Sequence, residues 1–285
     1  MPIATELYYF SHEAEDLDKK RPPVILIHGA GGNHLSWPPQ IRRMVDERIY
    51  AIDLPGHGKS EGVGGHSIDE YADNVIDFMK ELKIRAAVLV GISMGSAISL
   101  TIALKYPRKV IGLGLLGAGS KLRVAQAILE NAGNPNTFES AVEMVNENCF
   151  SENTAPGLKQ LSKEQMLELR PPVFLGDFLA CNNFDVTSQL ARIKIPAIIL
   201  CGKEDKMTPP KFSELLQNGI ANSQLHVVEN AGHMVMTEQP DRVADLLKQF
   251  VDNLPLHNRK KKEHTIYDGQ TAPVQKIESP LIDSS

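Results

Sequence analysis

A serine flanked by glycines is the clearest candidate for chemistry in this chain. Gly91, Ser93 and Gly95 form a G-x-S-x-G pentapeptide, which follows an apolar run over 86–90 and precedes a helix-like segment over 96–104. Where a strand turns this tightly into a helix, the serine takes strained backbone angles and its neighbours need small side chains. The pattern therefore predicts a nucleophile elbow with Ser93 as the attacking group, in preference to a glycine-rich turn that merely holds a serine.

His233 and Asp205 are the predicted partners of Ser93. A serine hydroxyl is a weak nucleophile at neutral pH, so it needs a histidine base, and the base needs an orienting carboxylate. Of the nine histidines, His233 is the best placed because it lies between the last predicted strand and the last predicted helix. In proteins with a nucleophile elbow of this kind, the chain order is nucleophile, acid, histidine. Asp205 follows a predicted strand at the right point, with Glu204 as its nearest competitor, and the preceding strand ends in residues 116–119, which include no carboxylate.

Two backbone N–H groups are predicted to bind the oxyanion that develops in acyl transfer. One normally comes from the residue after the nucleophile, here Met94, and the other from a loop after an early strand. The loop 28–32, HGAGG, follows an apolar strand, and we assign its donor to Ala30. A phosphate-binding loop is the rival interpretation, but no Lys-Ser/Thr pair follows and the spacing is not G-x-G-x-x-G. His28 is predicted to brace this loop.

Short apolar segments separated by helix-sized stretches predict the sheet that positions these groups. Strands that alternate with helices indicate a mostly parallel sheet covered on both faces, which is an α/β fold. Apolar residues at helical spacing predict amphipathic helices over 69–82 and 242–254. The predicted strands are 24–27, 49–52, 86–90, 110–116, 197–201 and 225–228, after a segment with strand character around 7–10.

The alternation stops after Gly119, and a helix-like stretch without a convincing strand continues to about residue 194. An insertion at this point would lie over the carboxyl ends of the strands, where open α/β sheets place their ligands. It is therefore predicted to act as a helical cap or lid, with helices over 124–131, 138–146 and 163–169. The predicted organisation is an α/β core over 1–118 and 193–257, a cap over 119–192, and a flexible tail over 258–285. The basic run in the tail is interpreted as solvated chain in preference to an interaction motif.

Composition excludes several classes of function. The chain has 285 residues and a net charge of −5, which provides no basic field for nucleic acid. It contains neither an apolar run of about 18 residues nor a basic and apolar leader at its start, so we expect a soluble, cytoplasmic protein without a membrane partner. A monomer or a homodimer is expected.

The three cysteines suggest neither a disulfide framework nor a zinc site. Cys149, Cys181 and Cys201 make an odd count without C-x-x-C spacing. Buried reduced thiols are the simplest interpretation, and a bridge between Cys149 and Cys181 stays open. No metal or cofactor is expected.

Five sequence blocks occur in the order typical of one family. They extend over about residues 22–254 and resemble the α/β-hydrolase superfamily, in its branch of small serine esterases with a helical cap. The blocks are His28-Gly29, Asp53 to Ser60, Gly91 to Gly95, Gly202 to Asp205, and Gly232-His233. The resemblance implies that Asp53 to Ser60 is a structural loop beside the oxyanion loop, so Asp53 and His57 are expected to have no catalytic role.

The residue at the elbow distinguishes among the reactions that the resemblance implies. Epoxide hydrolases and haloalkane dehalogenases of this fold attack with a carboxylate where this chain has Ser93, so both activities are disfavoured. Cofactor-free haloperoxidases usually carry a proline in the oxyanion loop and carbon–carbon bond hydrolases usually carry G-x-G-P-G, and the sequence AGGN at 30–33 matches neither. The resemblance therefore implies hydrolysis of a carboxylic ester. The alternatives are a lactone, thioester or carbon–carbon bond hydrolase, or a non-catalytic ligand receptor.

The substrate is expected to be a small-molecule ester that reacts with water. Gly29 and Trp37 are predicted to contact it, and no cationic cluster in the cap indicates an acidic substrate, so an uncharged or apolar ester is expected. Several apolar cap residues could line the acyl site or simply hold the cap to the core. They are Phe150, Met166, Val173, Phe174, Phe178 and Phe184.

Overall fold

Eight strands form a single sheet in the computed structural model of the chain, which describes residues 3–14 and 21–255. The strands are β1 (Ile3–Ala4), β2 (Leu7–Glu13), β3 (Val24–Ile27), β4 (Arg48–Ile52), β5 (Ala87–Ile92), β6 (Val110–Leu116), β7 (Ala197–Gly202) and β8 (Ser223–Val228). Their order across the sheet is β1-β2-β4-β3-β5-β6-β7-β8. The strands from β4 to β8 pair in parallel, whereas β1 and β2 form the antiparallel edge.

Helices cover both faces of the sheet, as the continuous apolar strands require. The side chains of β3 alternate between two hydrophobic clusters: Ile25 and Ile27 lie in the first, and Val24 and Leu26 in the second. The helices outside the insertion are α1 (Pro39–Arg42), α2 (Ile68–Glu81), α3 (Met94–Lys105), α8 (Pro210–Gly219), α9 (Val235–Glu238) and α10 (Pro240–Asp252). Short 3₁₀ turns lie at His34–Ser36, Pro107–Lys109 and Thr187–Arg192. Side chains of α2 and α3 pack in the first cluster, and side chains of α1 and α10 in the second.

The structure confirms the predicted fold class, with most element bounds within one or two residues. Helix α2 shows why its bounds were readable: the Ser67 side chain accepts a hydrogen bond from the Glu70 N–H at its start, and its apolar residues face the core. The edge strand β1 was not predicted, because two residues carry no periodic pattern.

Four helices, together named the cap, lie between β6 and β7, where three were predicted. They are α4 (Gln126–Ala132), α5 (Phe138–Cys149), α6 (Pro156–Leu167) and α7 (Pro171–Asn183). The predicted helix over 163–169 overlaps the end of α6, which stops at Leu167 and begins earlier because Pro156 occupies its first position. Helix α7 was missed because its apolar residues surround it, with no polar stripe to mark a period. The predicted tail over 258–285 lies outside the described residues.

The state of the three cysteines is defined by the described structure. Cys149, Cys181 and Cys201 are all buried free thiols, so the bridge left open between the first two is not formed. Within residues 3–14 and 21–255, no helix is long and apolar enough to cross a bilayer, and no cluster of three potential metal-ligand side chains occurs.

Candidate active site

Ser93 lies at a sharp turn between β5 and α3, in left-handed backbone geometry with φ 54° and ψ −114°. The flanking glycines have a steric cause. A Cβ on Gly91 would lie 2.2 Å from the carbonyl carbon of Gly95, and a Cβ on Gly95 would lie 2.1 Å from the carbonyl oxygen of Ile27. A side chain at either position would therefore force the turn open. The half-buried Ser93 lines a cavity beneath the insertion.

His233 and Asp205 form a hydrogen-bonded pair beside the same cavity. The Nδ1 atom of His233 lies 2.9 Å from Oδ2 of Asp205. The carboxylate also accepts hydrogen bonds from the N–H groups of Met207 and Thr208 and from the Thr208 hydroxyl, at 2.8 to 2.9 Å. Burial acts to raise the pKa of Asp205, but His233 and the Thr208 donors outweigh burial and lower it. Asp205 is therefore held as a carboxylate that orients the ring.

The second ring nitrogen of His233 is the one available to the cavity. No side chain or backbone group in the described residues makes a hydrogen bond to Nε2, whereas Nδ1 is engaged by Asp205. Ser93 also lines the cavity, although its hydroxyl makes no hydrogen bond to His233. The end of β6 adjoins both residues: Leu116 accepts a hydrogen bond from the Ser93 N–H at 2.9 Å, and a Cβ on Gly117 would lie 2.9 Å from Cε1 of His233. The strand end without a carboxylate thus leaves room for the imidazole.

The two predicted oxyanion donors are both unpaired. The Met94 N–H is at the first position of α3, and the Ala30 N–H is in the loop after β3. Neither finds an acceptor among residues 3–14 and 21–255. Ala30 and Gly29 line the cavity, and a Cβ on Gly29 would lie 3.4 Å from Cβ of Ser93. The loop therefore passes close enough to the serine to serve a group bound there.

His28 braces this loop, as predicted. Its ring is buried and neutral: Nδ1 donates to the Gly29 carbonyl at 2.8 Å, and Nε2 accepts from the Leu54 N–H at 3.0 Å. Burial, followed by the nearby His57, lowers the pKa of His28 to about 4. Asp53 is likewise structural, since its carboxylate accepts hydrogen bonds from the N–H groups of His34 and Lys59.

The cavity has a volume of about 290 Å³ and mostly apolar walls. No aspartate, glutamate, lysine or arginine of the described chain contributes to its lining. The half-exposed side chains of Leu35 and Leu161 are part of the wall. Apolar cap residues on the wall include Val145, Phe150, Leu158, Met166 and Phe178.

Comparison with known proteins places this architecture in a family. Residues 24–246 match the alpha/beta hydrolase family, and this range includes strands β3 to β8, the elbow, Asp205 and His233. The chain belongs to the alpha/beta hydrolase family.

Relatives of this alpha/beta hydrolase carry several activities in their names. The AB hydrolase superfamily protein YisY of Bacillus subtilis is 28% identical over 256 residues, which cover 83% of this chain and 93% of the relative. The 3-oxoadipate enol-lactonase 1 of Acinetobacter baylyi is 24% identical over 239 residues, covering 82% and 90%. A solved structure of a thermophilic esterase is 30% identical, covers 86% of this chain and 98% of its own, and superimposes with a TM-score of 0.73.

Trp37 requires a correction, because the hydrolase does not present it to the cavity. The tryptophan is fully buried in the cluster between the sheet and α1. The chain turns at His34–Ser36 so that Leu35 and Pro38 reach the cavity wall while the largest apolar side chain enters the core. Of the six apolar cap residues considered, Phe150, Met166 and Phe178 line the cavity. The other three pack within hydrophobic clusters: Val173 and Phe174 inside the cap, and Phe184 against the sheet.

Sequence reasoning missed a buried carboxylate in the cap, Asp177 of α7. One of its oxygens accepts hydrogen bonds from the Gly31 N–H at 2.9 Å and from Nε2 of His57 at 2.8 Å, and the other accepts from the Tyr71 hydroxyl at 2.5 Å. The carboxylate thus joins the cap to the loop after β3 that carries Ala30. A signal was present, since Asp177 is the one charged residue in the sequence PPVFLGDFLACNN of α7.

A second carboxylate that the sequence did not predict, Glu238 of α9, joins the insertion to the loop that carries His233. It accepts hydrogen bonds from the Gly232 N–H at 2.7 Å, next to His233, and from the Ser151 N–H at 2.8 Å in the insertion. The Thr154 hydroxyl also donates to it. The loops that carry Ala30 and His233 are therefore each connected to the insertion through a carboxylate.

Proposed function

We propose that this alpha/beta hydrolase is a serine hydrolase that cleaves uncharged carboxylic esters with an apolar acyl group. The observation that carries the proposal is the convergence of Ser93, the free Nε2 of His233 and the unpaired Ala30 N–H around one apolar cavity. These are the parts that acyl transfer requires: a nucleophile, an oriented base and a donor for the oxyanion.

The proposed reaction proceeds in two steps. Ser93 Oγ attacks the ester carbonyl while His233 Nε2 takes the hydroxyl proton, and Asp205 stabilises the resulting imidazolium. The N–H groups of Ala30 and Met94 hold the oxyanion. When the tetrahedral intermediate collapses, the ester C–O bond breaks and His233 gives its proton to the departing alcohol. Water then attacks the acyl-enzyme while His233 takes its proton. The bond between the acyl carbon and Ser93 Oγ breaks, His233 returns the proton to Oγ, and the carboxylic acid leaves.

The cavity wall supports an uncharged substrate. A charged acyl group would lose its hydration without gaining a partner, because the wall that the structure describes carries no counter-charge. Apolar cap residues would instead bury an aliphatic or aromatic acyl group. The volume of about 290 Å³ lies near the lower end for small-molecule sites, which favours a short or medium acyl chain.

Cys149 is the rival nucleophile, since it also lines the cavity. Burial raises the pKa of its thiol to about 12, with Asp205 and Glu238 adding to the shift. The thiol is therefore protonated at neutral pH and a poor nucleophile. Ser93 has the base and the donors beside it, which favours the serine.

A lactonase is the second candidate. The same chemical steps open a cyclic ester, and the enol-lactonase relative favours this candidate. A non-catalytic ligand receptor is the alternative from another class, and it predicts binding without turnover.

The test is turnover of p-nitrophenyl esters from acetate to decanoate, with lactones and thioesters measured beside them. We expect the highest kcat/KM among uncharged short or medium esters, and we expect Ser93→Ala to lose about 10⁴-fold to 10⁶-fold while its thermal melt stays near wild type. Ser96→Ala is the matched control, because it removes a hydroxyl one turn away that bonds Gly91 and Leu116 outside the cavity. Full activity in Ser93→Ala would contradict the mechanism. Binding of esters and lactones without turnover would favour the receptor.

A further inference from the structure

Asp177 accepts a hydrogen bond from the central peptide of a tight turn in the loop that carries Ala30. Residues Gly29 to Gly32 form a turn closed by a hydrogen bond of 3.1 Å from the Gly32 N–H to the Gly29 carbonyl. Gly31, at the third position, has φ +69°, while Ala30, at the second, does not have positive φ. A positive φ at the third position alone is typical of a type II turn. The central peptide of this turn joins Ala30 to Gly31, and its N–H is the group that Asp177 accepts.

We infer that Asp177 is a positioning residue: by accepting the Gly31 N–H, it fixes the turn whose first peptide carries the Ala30 N–H, the proposed oxyanion donor. The inference rests on the proposed function. A type I turn differs from type II by rotation of the central peptide, so loss of the acceptor would remove a contact that favours the observed form and would let the residue next to Ala30 move. An oxyanion donor stabilises a transition state in proportion to how well it is fixed in advance.

The charge on Asp177 is held in place by its other partners. His57 lies between two acceptors, the Asp177 carboxylate at 2.8 Å from Nε2 and the Pro55 carbonyl at 3.0 Å from Nδ1. Both ring nitrogens must donate to satisfy both contacts, so the ring is an imidazolium. Burial opposes the charge, but Asp177 outweighs burial and raises the pKa of His57. Tyr71 supplies a neutral donor to the other oxygen.

The arrangement connects the cap to the chemistry without contact between Asp177 and substrate. Asp177 is fully buried and is absent from the cavity wall that the structure describes. Its contribution to the reaction would pass through one hydrogen bond to the residue after Ala30. A cap displaced from the core would withdraw that acceptor, so the oxyanion site would be complete only when the cap is seated.

Three variants separate positioning from simple stability. Asp177→Ala removes every contact, and Asp177→Asn keeps an oxygen for Gly31 but loses the charge. Tyr71→Phe is the matched control, because it removes a hydrogen bond to the same carboxylate through the oxygen that Gly31 does not use.

Three readouts are taken on each variant. The first is kcat and KM for the best p-nitrophenyl ester, with kcat expressed per active site titrated by a fluorophosphonate. The second is affinity for a trifluoromethyl ketone, which forms a tetrahedral oxyanion, compared with the affinity for the product acid. The third is amide hydrogen exchange over residues 28–33.

We expect Asp177→Ala to lower kcat at least about tenfold with KM within about threefold of wild type. Ketone affinity should fall in parallel while product affinity holds, and the Gly31 amide should exchange faster. Asp177→Asn should retain about a third of kcat, and Tyr71→Phe should stay near wild type in kcat. The melting temperatures of both Asp177→Asn and Tyr71→Phe should be lower than that of the wild type. If Asp177→Ala does not fold, the comparison of the other two variants replaces it, and a lower kcat in Asp177→Asn than in Tyr71→Phe would support the positioning role.

Equal kcat per active site in the Asp177 variants and Tyr71→Phe would overturn the inference and leave a purely structural role. Failure of the proposed function has a different signature, since the wild type would then show no ester turnover and no labelling of Ser93.

Discussion

Two buried histidine–carboxylate pairs lie beside the loops of the candidate site. His233 and Asp205 are 2.9 Å apart at their closest atoms, and His57 and Asp177 are 2.8 Å apart. The pairs differ at the remaining ring nitrogen. In His57 it meets the Pro55 carbonyl, whereas in His233 no group of the described chain occupies it and the ring lines the cavity.

The difference shows that the pair alone does not make a base. A histidine can accept a proton from a nucleophile only through a nitrogen that is free to accept, and both nitrogens of His57 already donate. His57 therefore serves as a fixed buried cation that joins cap and core. His233 keeps one nitrogen for the cavity, which suits the role we propose for it.

Removal of His233 should have the largest effect on activity. We expect His233→Ala to lower kcat/KM by about 10⁴-fold to 10⁶-fold, because the nucleophile loses its base. The measurement is ester turnover with a thermal melt on the same sample. The control is His226→Ala on β8, which should stay near wild type because His226 is absent from the cavity wall that the structure describes. Activity within tenfold of wild type in His233→Ala would contradict its role.

Replacement of His57 should affect stability more than chemistry. His57→Gln can still donate to Asp177 but leaves a buried carboxylate without its counter-charge, which costs about 3 kcal/mol of unfolding free energy. For a chain of this size that corresponds to a melting temperature lower by roughly 6 to 12 °C. Urea unfolding measures the loss, and kcat should stay within about tenfold of wild type. A drop in kcat as large as that of His233→Ala, with unchanged stability, would reverse the assignment of the two pairs.

The pH dependence of stability should have opposite signs at His57 and His28, whose rings lie 4.8 Å apart. The pKa of His57 is raised, so its stabilising contribution is complete below the ordinary value near 6.5 and is lost as the pH rises through the folded value. The pKa of His28 is lowered to about 4, so its contribution is complete above 6.5 and declines by about 3 kcal/mol as the pH falls to 4.

Imidazole nitrogen NMR at about pH 6, below the ordinary histidine pKa near 6.5, tests both states directly. We expect a doubly protonated His57 and a neutral His28 with its proton on Nδ1. In His57→Gln the pKa of His28 should rise, because the positive charge of His57 is one cause of its lowering. A His28 ring that titrates near 6.5 in the wild type would contradict this account.

Thr208 should give the smallest effect. Its hydroxyl donates to the Asp205 oxygen that faces His233, while the backbone donors engage the other oxygen. Thr208→Val should lower kcat about threefold to tenfold, through a less well held carboxylate. Thr208→Ser keeps the hydroxyl and should stay near wild type in the same ester assay. An equal loss of kcat in Thr208→Val and Thr208→Ser would show that packing at this position, and not the hydroxyl, causes the loss.

Local signals explain what the sequence could reveal. The elbow, the strand end before Asp205 and the loop around His233 are each marked by glycine or a polar residue directly after an apolar strand. Parallel strands bring such ends together, so the sheet assembles the predicted positions. The error at Trp37 has the opposite origin, because a large apolar residue next to a loop gives no sign of the face to which the chain turns it.

The cap was only partly predictable. Some of its apolar residues pack against one another, and others line the cavity. Their spacing in the sequence does not distinguish residues that pack in the cap from residues that line the cavity. The contacts of Asp177 join residues 106, 120 and 146 positions apart, which no local pattern encodes. Its isolation in an apolar helix signals a buried partner but not which one.

Fluorophosphonate labelling followed by peptide mapping tests the proposed roles of Ser93 and His233, because it reports attack by Ser93 independently of the natural substrate. We predict a single adduct on Ser93 in the wild type, labelling at a similar rate in His57→Gln, and labelling slower by orders of magnitude in His233→Ala. An adduct elsewhere, or equal slowing in the two histidine variants, would contradict the claim that only His233 serves Ser93 as its base.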